Sequence, residues 1–238
     1  MLLKTLLNKC SKYKSFVFSN IRYKEKDEEQ VIEVEVRPRK NAKAICSGCH
    51  TPGATYDTMR EPRRFEFVPP WGILFFFCYR MRRVDCQKCG VTVEEVPWGI
   101  GKNELTNTYM QYLAHWAKKL SWKEVAERFW TSWEKVHSSV DYVVKWGLEH
   151  RKLSGVRAIG VDEIQWGKGH DYLTLVYQID NESIRLLWVG AGRTVKTFLR
   201  FFRYLGEERS GNLQYICSDM WKPSLEVIER KASQAINI

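Results

Sequence analysis

Ala158-Ile159-Gly160-Val161-Asp162-Glu163 decides the reading of this chain, because it sets an aspartate at the end of an apolar, β-branched run. Leu213-Gln214-Tyr215-Ile216-Cys217-Ser218-Asp219 repeats the arrangement further on. Runs of this kind read as buried strands. A carboxylate at the mouth of a buried strand is costly unless something binds it, and a divalent metal ion is the usual occupant. Between the two runs, Tyr172 to Tyr177 and Ile184 to Val189 alternate apolar and polar residues as strands do. Thr194 to Leu205 then takes a helical period, with Val195, Phe198, Leu199, Phe202 and Leu205 on one face. The order is a strand with Asp, two strands, a helix, and a second strand with Asp.

Composition bounds the rest. The chain has 238 residues, 44% of them hydrophobic, enough for a real core spread over two or three domains. The net charge of +10 is uneven: residues 1–155 carry 27 Lys/Arg against 18 Asp/Glu, and residues 156–238 carry 11 against 10. A basic front half suggests a polyanionic partner, with an ordinary solvated basic surface as the plain alternative. No stretch approaches the roughly 20 apolar residues that span a bilayer. Met1 to Lys9 is broken by charge and carries no secretory signal, so the sequence reads as cytoplasmic and nucleoid-associated, with no membrane. In that compartment seven cysteines read as thiols or metal ligands rather than disulfides.

Four of them fall into two knuckles, Cys46-Ser47-Gly48-Cys49 and Cys86-Gln87-Lys88-Cys89-Gly90. The C-x-x-C spacing brings two thiolates to one tetrahedral ion while neighbouring amides support the sulfurs, so a structural Zn2+ site is expected. The 36 residues between the knuckles exceed the commonest ribbon spacing, but Arg64 to Val68 and Ile73 to Val84 can fill the gap with strands. Two redox-active or merely reduced pairs are the alternative, without a thioredoxin-like βαβ context to support it. His50 adjoins a ligand and reads as a bystander. Cys78 and Cys217 sit in apolar runs and read as packing residues.

Basic residues surround this site: Arg37, Arg39, Lys40, Lys43, Arg60, Arg63, Arg64, Arg80, Arg82 and Arg83. Arg63, Arg64, Arg80, Arg82 and Arg83 are the expected phosphate contacts, and the interleaved Trp71, Phe75, Phe76, Phe77 and Tyr79 read as core. Residues 104–150 turn helical. Tyr109, Leu113, Trp116, Ala117 and Leu120 form one face, and Ser121 to Glu124 and Thr131 to Glu134 each match a capping box. Three helices with a tight Trp130-Thr131 corner predict a helix-turn-helix, or a plain three-helix bundle, which has the same periodicity. The glycine often found at such a corner is missing. Ser132, Lys135, Ser138 and Ser139, at the start of the last helix, are the candidate DNA contacts.

Taken together, the C-x-x-C ribbon, Leu120-Ser121-Trp122-Lys123-Glu124-Val125-Ala126, Gly160-Val161-Asp162-Glu163 with Gly167-Lys168-Gly169-His170, and Ser218-Asp219-Met220-Trp221-Lys222-Pro223 resemble a bacterial insertion-sequence transposase of the ISL type, within the DDE superfamily. The resemblance runs over essentially the whole chain. It implies a multi-domain α+β protein: a zinc-ribbon domain over 1–100, a helix-turn-helix domain over 101–155, and over 156–238 the first half of a ribonuclease-H-like α/β domain. It implies that Asp162 and Asp219 are the first two catalytic carboxylates and hold Mg2+ or Mn2+. The implied partner is double-stranded DNA at the element's terminal inverted repeats, engaged by a homo-oligomer.

Glu163 follows Asp162 on the opposite face of its strand and reads as a poor substitute ligand. Lys168, Gly169 and His170 read as a turn near the site, and Trp221 as packing over the strand end. Members of the family supply a third carboxylate, a Glu, from a late helix, whereas Glu226 and Glu229 come too soon after Asp219 to match it. The expectation is a transposase-type protein, this copy inactive in strand transfer. The alternative is a DNA-binding repressor acting on the terminal repeats; a zinc-ribbon RNA-binding protein ranks last, since it leaves the paired Asp strands unexplained.

Overall fold

Alternation of apolar and charged residues in the first hundred positions produces two small sheets. The computed structural model describes residues 2–26, 29–180, 184–219 and 222–238. After helix α1 (Leu3–Cys10), strands β1 (Phe16–Lys26) and β2 (Glu29–Pro38) form a long antiparallel hairpin. This hairpin is not among the elements expected above, although Ile32, Val34 and Val36 alternate with Glu33 and Glu35 and are buried where the glutamates are not. Next come β3 (Ala44–Ile45), β4 (Pro52–Thr58), β5 (Arg63–Phe67), a single 3-10 turn at Pro70–Gly72, β6 (Leu74–Tyr79), β7 (Arg82–Cys86) and β8 (Gly90–Val93). One sheet has the order β1-β2-β6-β5, with β2 and β6 parallel, and the other has the antiparallel order β3-β4-β7-β8.

The larger sheet buries Phe18, Val34, Phe65, Phe75 and Phe77 around Trp98, whose ring meets Phe16, Phe65 and Tyr79 edge-on. Edge-to-face pairs of this kind add to what area burial alone contributes. Trp71, expected in this core, instead stands 85% exposed on the turn before β6.

Three helices follow, α2 (Asn107–Trp116), α3 (Trp122–Arg128) and α4 (Trp133–His150). Ser121 and Glu124 form the expected capping box, each side chain bonding the other's backbone amide. The second expected box, Thr131 to Glu134, does not form. Ser132 caps α4 instead, accepting from the Lys135 amide at 3.3 Å. The cause is the end of α3: the Thr131 amide turns back to the Ala126 carbonyl at 3.0 Å, which ties Thr131 to the preceding helix. Leu105, Tyr109, Leu113, Val125 and Val136 form the helical core, with Val68 from the β5–β6 connection against it. Glu66 of β5 bonds through its backbone to Glu104 and Thr106, at 2.7 and 2.9 Å. Both sheets and the three helices therefore fall in one unit, Met1–His150.

The second unit is Arg151–Ile238. It contains β9 (Ala158–Gln165), β10 (Tyr172–Gln178), β11 (Arg185–Ala191), α5 (Val195–Leu205), α6 (Glu207–Gly211), β12 (Tyr215–Ser218), α7 (Lys222–Lys231) and β13 (Ile236–Asn237). The sheet order is β11-β10-β9-β12-β13: an antiparallel meander from β9 to β11, then β12 parallel to β9 and β13 parallel to β12. Thr194 caps α5 by accepting from the Thr197 amide. Phe198, Phe201, Phe202 and Leu205 of that helix pack with Ile159, Val161, Val176, Ile216, Val227 and Ile228. Among the described residues no helix is long and apolar enough to cross a membrane.

Candidate metal centres and nucleic-acid surface

The smaller sheet exists to present sulfur. Its two hairpins, β3–β4 and β7–β8, each carry one knuckle at the turn, and all four Sγ atoms of Cys46, Cys49, Cys86 and Cys89 lie within 4.8 Å of one another. Among the described residues this is the only group of three or more His, Cys, Asp or Glu side chains so placed. Each knuckle is followed by a residue in the left-handed region, His50 (φ 58°) and Gly90 (φ 72°). That conformation turns the chain back and frees amides to face sulfur, as the Gly48 amide does toward Cys46 at 3.4 Å. A hydrogen bond from the Thr92 hydroxyl, helped by the Cys49 and Gly48 amides, draws the Cys46 thiol down to about 6. Thr51 lowers Cys49 in the same way, chiefly through its hydroxyl. Cys89 is pushed up to about 12, first by its hydrogen bond with Cys49 and then by burial. Four sulfurs this close together form a set suited to one soft cation. His50 stands outside it, its Nδ1 2.7 Å from Glu95 Oε2.

The two aspartates come together through parallel register. Tyr215 pairs with Ala158, Cys217 with Gly160 and Ser218 with Val161, so one further step sets Asp219 beside Asp162. Both are exposed. Asp162 Oδ1 accepts from the Glu163 amide at 2.8 Å. The Glu163 carboxyl is raised, first by burial and then by the charges of Asp219 and Asp162, with Arg193 opposing. Glu163 therefore shares the field of both aspartates although it alternates with Asp162 along the strand. Arg193 is held over the Tyr172 ring at 4.1 Å.

Lys168 and His170 occupy the β9–β10 turn, which Gln165 braces by donating to the Gly167 and Gly169 carbonyls. Cys217, expected to pack, is exposed, because β12 alternates and Ile216 faces the core. Trp221, expected to pack over the strand end, lies outside the described residues, as does Met220.

The expected DNA contacts divide by their surroundings. Arg82 is a correction: its guanidinium is buried against Glu94, with Nη2 2.8 Å from Oε2, and is committed to that carboxylate rather than to phosphate. Ser139 is a second correction, fully buried and donating to the Lys135 carbonyl at 2.6 Å. Ser138 bonds the same carbonyl, and Ser132 is occupied as a cap. Arg63 donates to the carbonyls of Gly101 and Asn103, and Arg83 pairs with Asp57. Arg80 is exposed, and Arg64 lies over Phe76 at 3.9 Å. Arg63, Arg64 and Lys135, which come from separate segments, line one cleft with Lys102, Glu66 and Glu104. Arg64 and Arg80 also line a second cleft on the outer face of the larger sheet, where Arg22, Lys24 and Arg37 join them. The sequence signal for Arg22 and Lys24 is their two-residue spacing on a strand, which only the β1 assignment makes readable.

Residues 159–238, which carry both aspartates, match a protein family described as Transposase, the ISL3-type branch of the DDE class. The chain is 29% identical over 229 residues to the transposase for insertion sequence element IS1557 of Mycobacterium tuberculosis, covering 94% of this chain and 50% of that protein. It is 24% identical over 179 residues to the transposase for insertion sequence element IS1001 of Bordetella parapertussis, covering 74% and 43% respectively. The chain thus spans about half the length of these relatives. The aspartate-bearing stretch is similar to the corresponding part of ISL3-type transposases.

Proposed function

We propose that this chain is the DNA-binding and leading catalytic portion of an insertion-sequence transposase. The observation that carries the reading is the β9–β12 register that sets Asp219 beside Asp162, in a stretch that matches transposases. On this reading residues 151–238 are the start of a ribonuclease-H-like core. Asp162, fixed by the Glu163 amide, and Asp219 hold Mg2+ or Mn2+ through hard oxygen ligands. Such ions, when bound, supply activation of water against a phosphodiester and stabilisation of the leaving 3′ oxygen. The chain's own part is to fix the carboxylates on neighbouring strands and to keep Arg193 near them. Helices α2 to α4 are read as a helix-turn-helix, with the first turn of α4 toward the major groove, Lys135 tied back to Glu66 at 2.9 Å, and Arg64 and Arg80 on phosphate. Zn2+ is the proposed ion for the four cysteines, and paired terminal inverted repeats held by a dimer are the proposed substrate.

The test is binding of the 238-residue chain to a labelled duplex carrying the element's end, measured over a salt series. Tighter binding to the end than to a scrambled duplex is expected, and Arg80→Ala should reduce the salt slope by about 1. In parallel, Mn2+ titration followed by electron paramagnetic resonance should register a site that Asp162→Asn and Asp219→Asn each weaken at least about tenfold. Equal affinity for both duplexes, together with Mn2+ binding indifferent to both aspartates, would sink the reading.

A further inference from the structure

Two tryptophans occupy backbone positions that favour glycine or asparagine. Trp71 is the first central residue of a tight turn closed by the Ile73 amide on the Pro70 carbonyl at 3.0 Å, with φ of 55° at Trp71 and 79° at Gly72. Positive φ at both central positions is the type I′ pattern, which Asn, Asp and Gly dominate. Trp130 (φ 50°) follows the end of α3, where the Thr131 amide reaches back to the Ala126 carbonyl; glycine is the usual residue at this place. A bulky side chain with positive φ is an outlier that the surroundings must hold in place. Burial does not hold these two, since Trp71 is 85% and Trp130 65% exposed. The two turns touch: a methyl group added to Gly72 would come within 3.2 Å of the Trp130 ring. Each position gives up both backbone preference and apolar burial, and the two positions are neighbours.

We infer that Trp71 and Trp130 form a paired indole contact for duplex DNA beside the start of α4; this rests on the DNA-binding reading above. Helix α4 begins with Trp133, three residues after Trp130, and Ser132 caps it. The exposed Arg128 lies two residues before Trp130. Residues 1–150 carry 25 Lys/Arg against 18 Asp/Glu, so the unit that holds the indoles attracts a polyanion. Exposed indoles on a cationic scaffold suit the flat faces of bases and the apolar edges of deoxyribose, which they meet by stacking or as wedges between base steps. Two exposed indoles on adjoining turns present such a wedge without any long side chain having to be ordered.

The experiment compares the intact chain with Trp71→Gly and Trp130→Gly, because glycine suits both backbone conformations and separates strain from contact. Affinity for a fluorescein-labelled random duplex at low salt, thermal midpoint and sedimentation are read for each protein. Expected are affinity reduced about tenfold in each variant, a thermal midpoint unchanged or raised, and unchanged sedimentation. Three outcomes overturn the inference: unchanged affinity; affinity lost in step with a lowered midpoint, which marks the indoles as structural; or a shift from dimer to monomer with equal affinity per protomer, which marks a second copy as the occupant. A wild-type chain that binds no duplex overturns the DNA reading and this inference together. Wild-type binding with indifferent variants overturns this inference alone.

Discussion

Glu94→Ala is expected to lower the stability of residues 1–150 by about 3–5 kcal/mol, the cost of stranding a buried charge. The Glu94 carboxylate is fully buried. It accepts from Arg82 Nε at 3.0 Å, Arg82 Nη2 at 2.8 Å, the Arg82 amide at 2.8 Å and the Tyr79 hydroxyl at 2.5 Å. Burial, reinforced by Glu94, holds the Tyr79 hydroxyl protonated well above its ordinary range. Removing the carboxylate leaves the Arg82 guanidinium with the Ala42 carbonyl at 2.9 Å as its one remaining oxygen partner among the described residues. The group also joins two sheets, since Tyr79 ends β6, Arg82 begins β7, and Glu94 follows β8 and bridges Cys46. Folded domains hold only about 5–15 kcal/mol in total, so the variant should melt early or fail to accumulate. Urea denaturation of the double variant Arg82→Met with Glu94→Leu decides the mechanism, because replacing both partners by apolar groups is often near neutral. Recovery of the wild-type midpoint in the double variant is expected, with duplex affinity unaltered. A stable Arg82→Met single variant with weakened DNA binding would restore Arg82 to the DNA surface and refute its structural role.

The same residue marks how far the sequence could be read. Arg80-Met81-Arg82-Arg83 looks like a uniform basic stripe, because nothing local distinguishes an arginine that faces phosphate from one that faces a carboxylate twelve residues away. Strand direction and the bridge of Glu94 to Cys46 decide it, and both are tertiary. The cysteine knuckles were legible because metal chemistry fixes their spacing locally. The strands of the second unit were legible because alternation survives in Tyr172 to Tyr177 and Ile184 to Val189. The adjacency of Asp162 and Asp219 could be suspected from their places at strand ends, but it depends on a parallel pairing across the α5 connection that no local pattern encodes. Trp71 and Trp130 were read as core or corner residues because hydrophobicity predicts burial and sequence carries no direct sign of φ. The missing corner glycine was the available signal: the turn forms, and an indole takes the strained position.

Removal of metal from the four-cysteine site is expected to unfold the β3-β4-β7-β8 sheet and, with it, much of the first unit. This sheet has little core of its own: Ala44, Cys46, Val84 and Cys86 are its buried cluster, with Cys49 packed against them. A sheet that small cannot offset its backbone entropy by apolar burial, and two of its four buried core residues are thiols whose proximity is unfavourable once they ionise. A bound soft cation reverses that balance, and structural zinc sites carry apparent binding free energies on the order of 10 kcal/mol near neutral pH. The effect should extend beyond the sheet, because Glu94 couples it to Tyr79 and the larger core. Dialysis against a strong chelator should abolish the cooperative thermal transition of residues 1–150, and one equivalent of Zn2+ per chain should restore it. Co2+ substitution should give the visible absorption of tetrahedral thiolate ligation, and Cys86→Ser should diminish it. The dependence on pH has a definite sign. Binding displaces thiol protons, and Cys46, whose thiol lies near 6, takes up a proton as pH falls through that value, so metal affinity should drop on the acid side. A chelated protein that keeps its melting transition, or Co2+ spectra unaltered by Cys86→Ser, would mean that the larger sheet supports the knuckles unaided and that these four thiols are not a structural metal site.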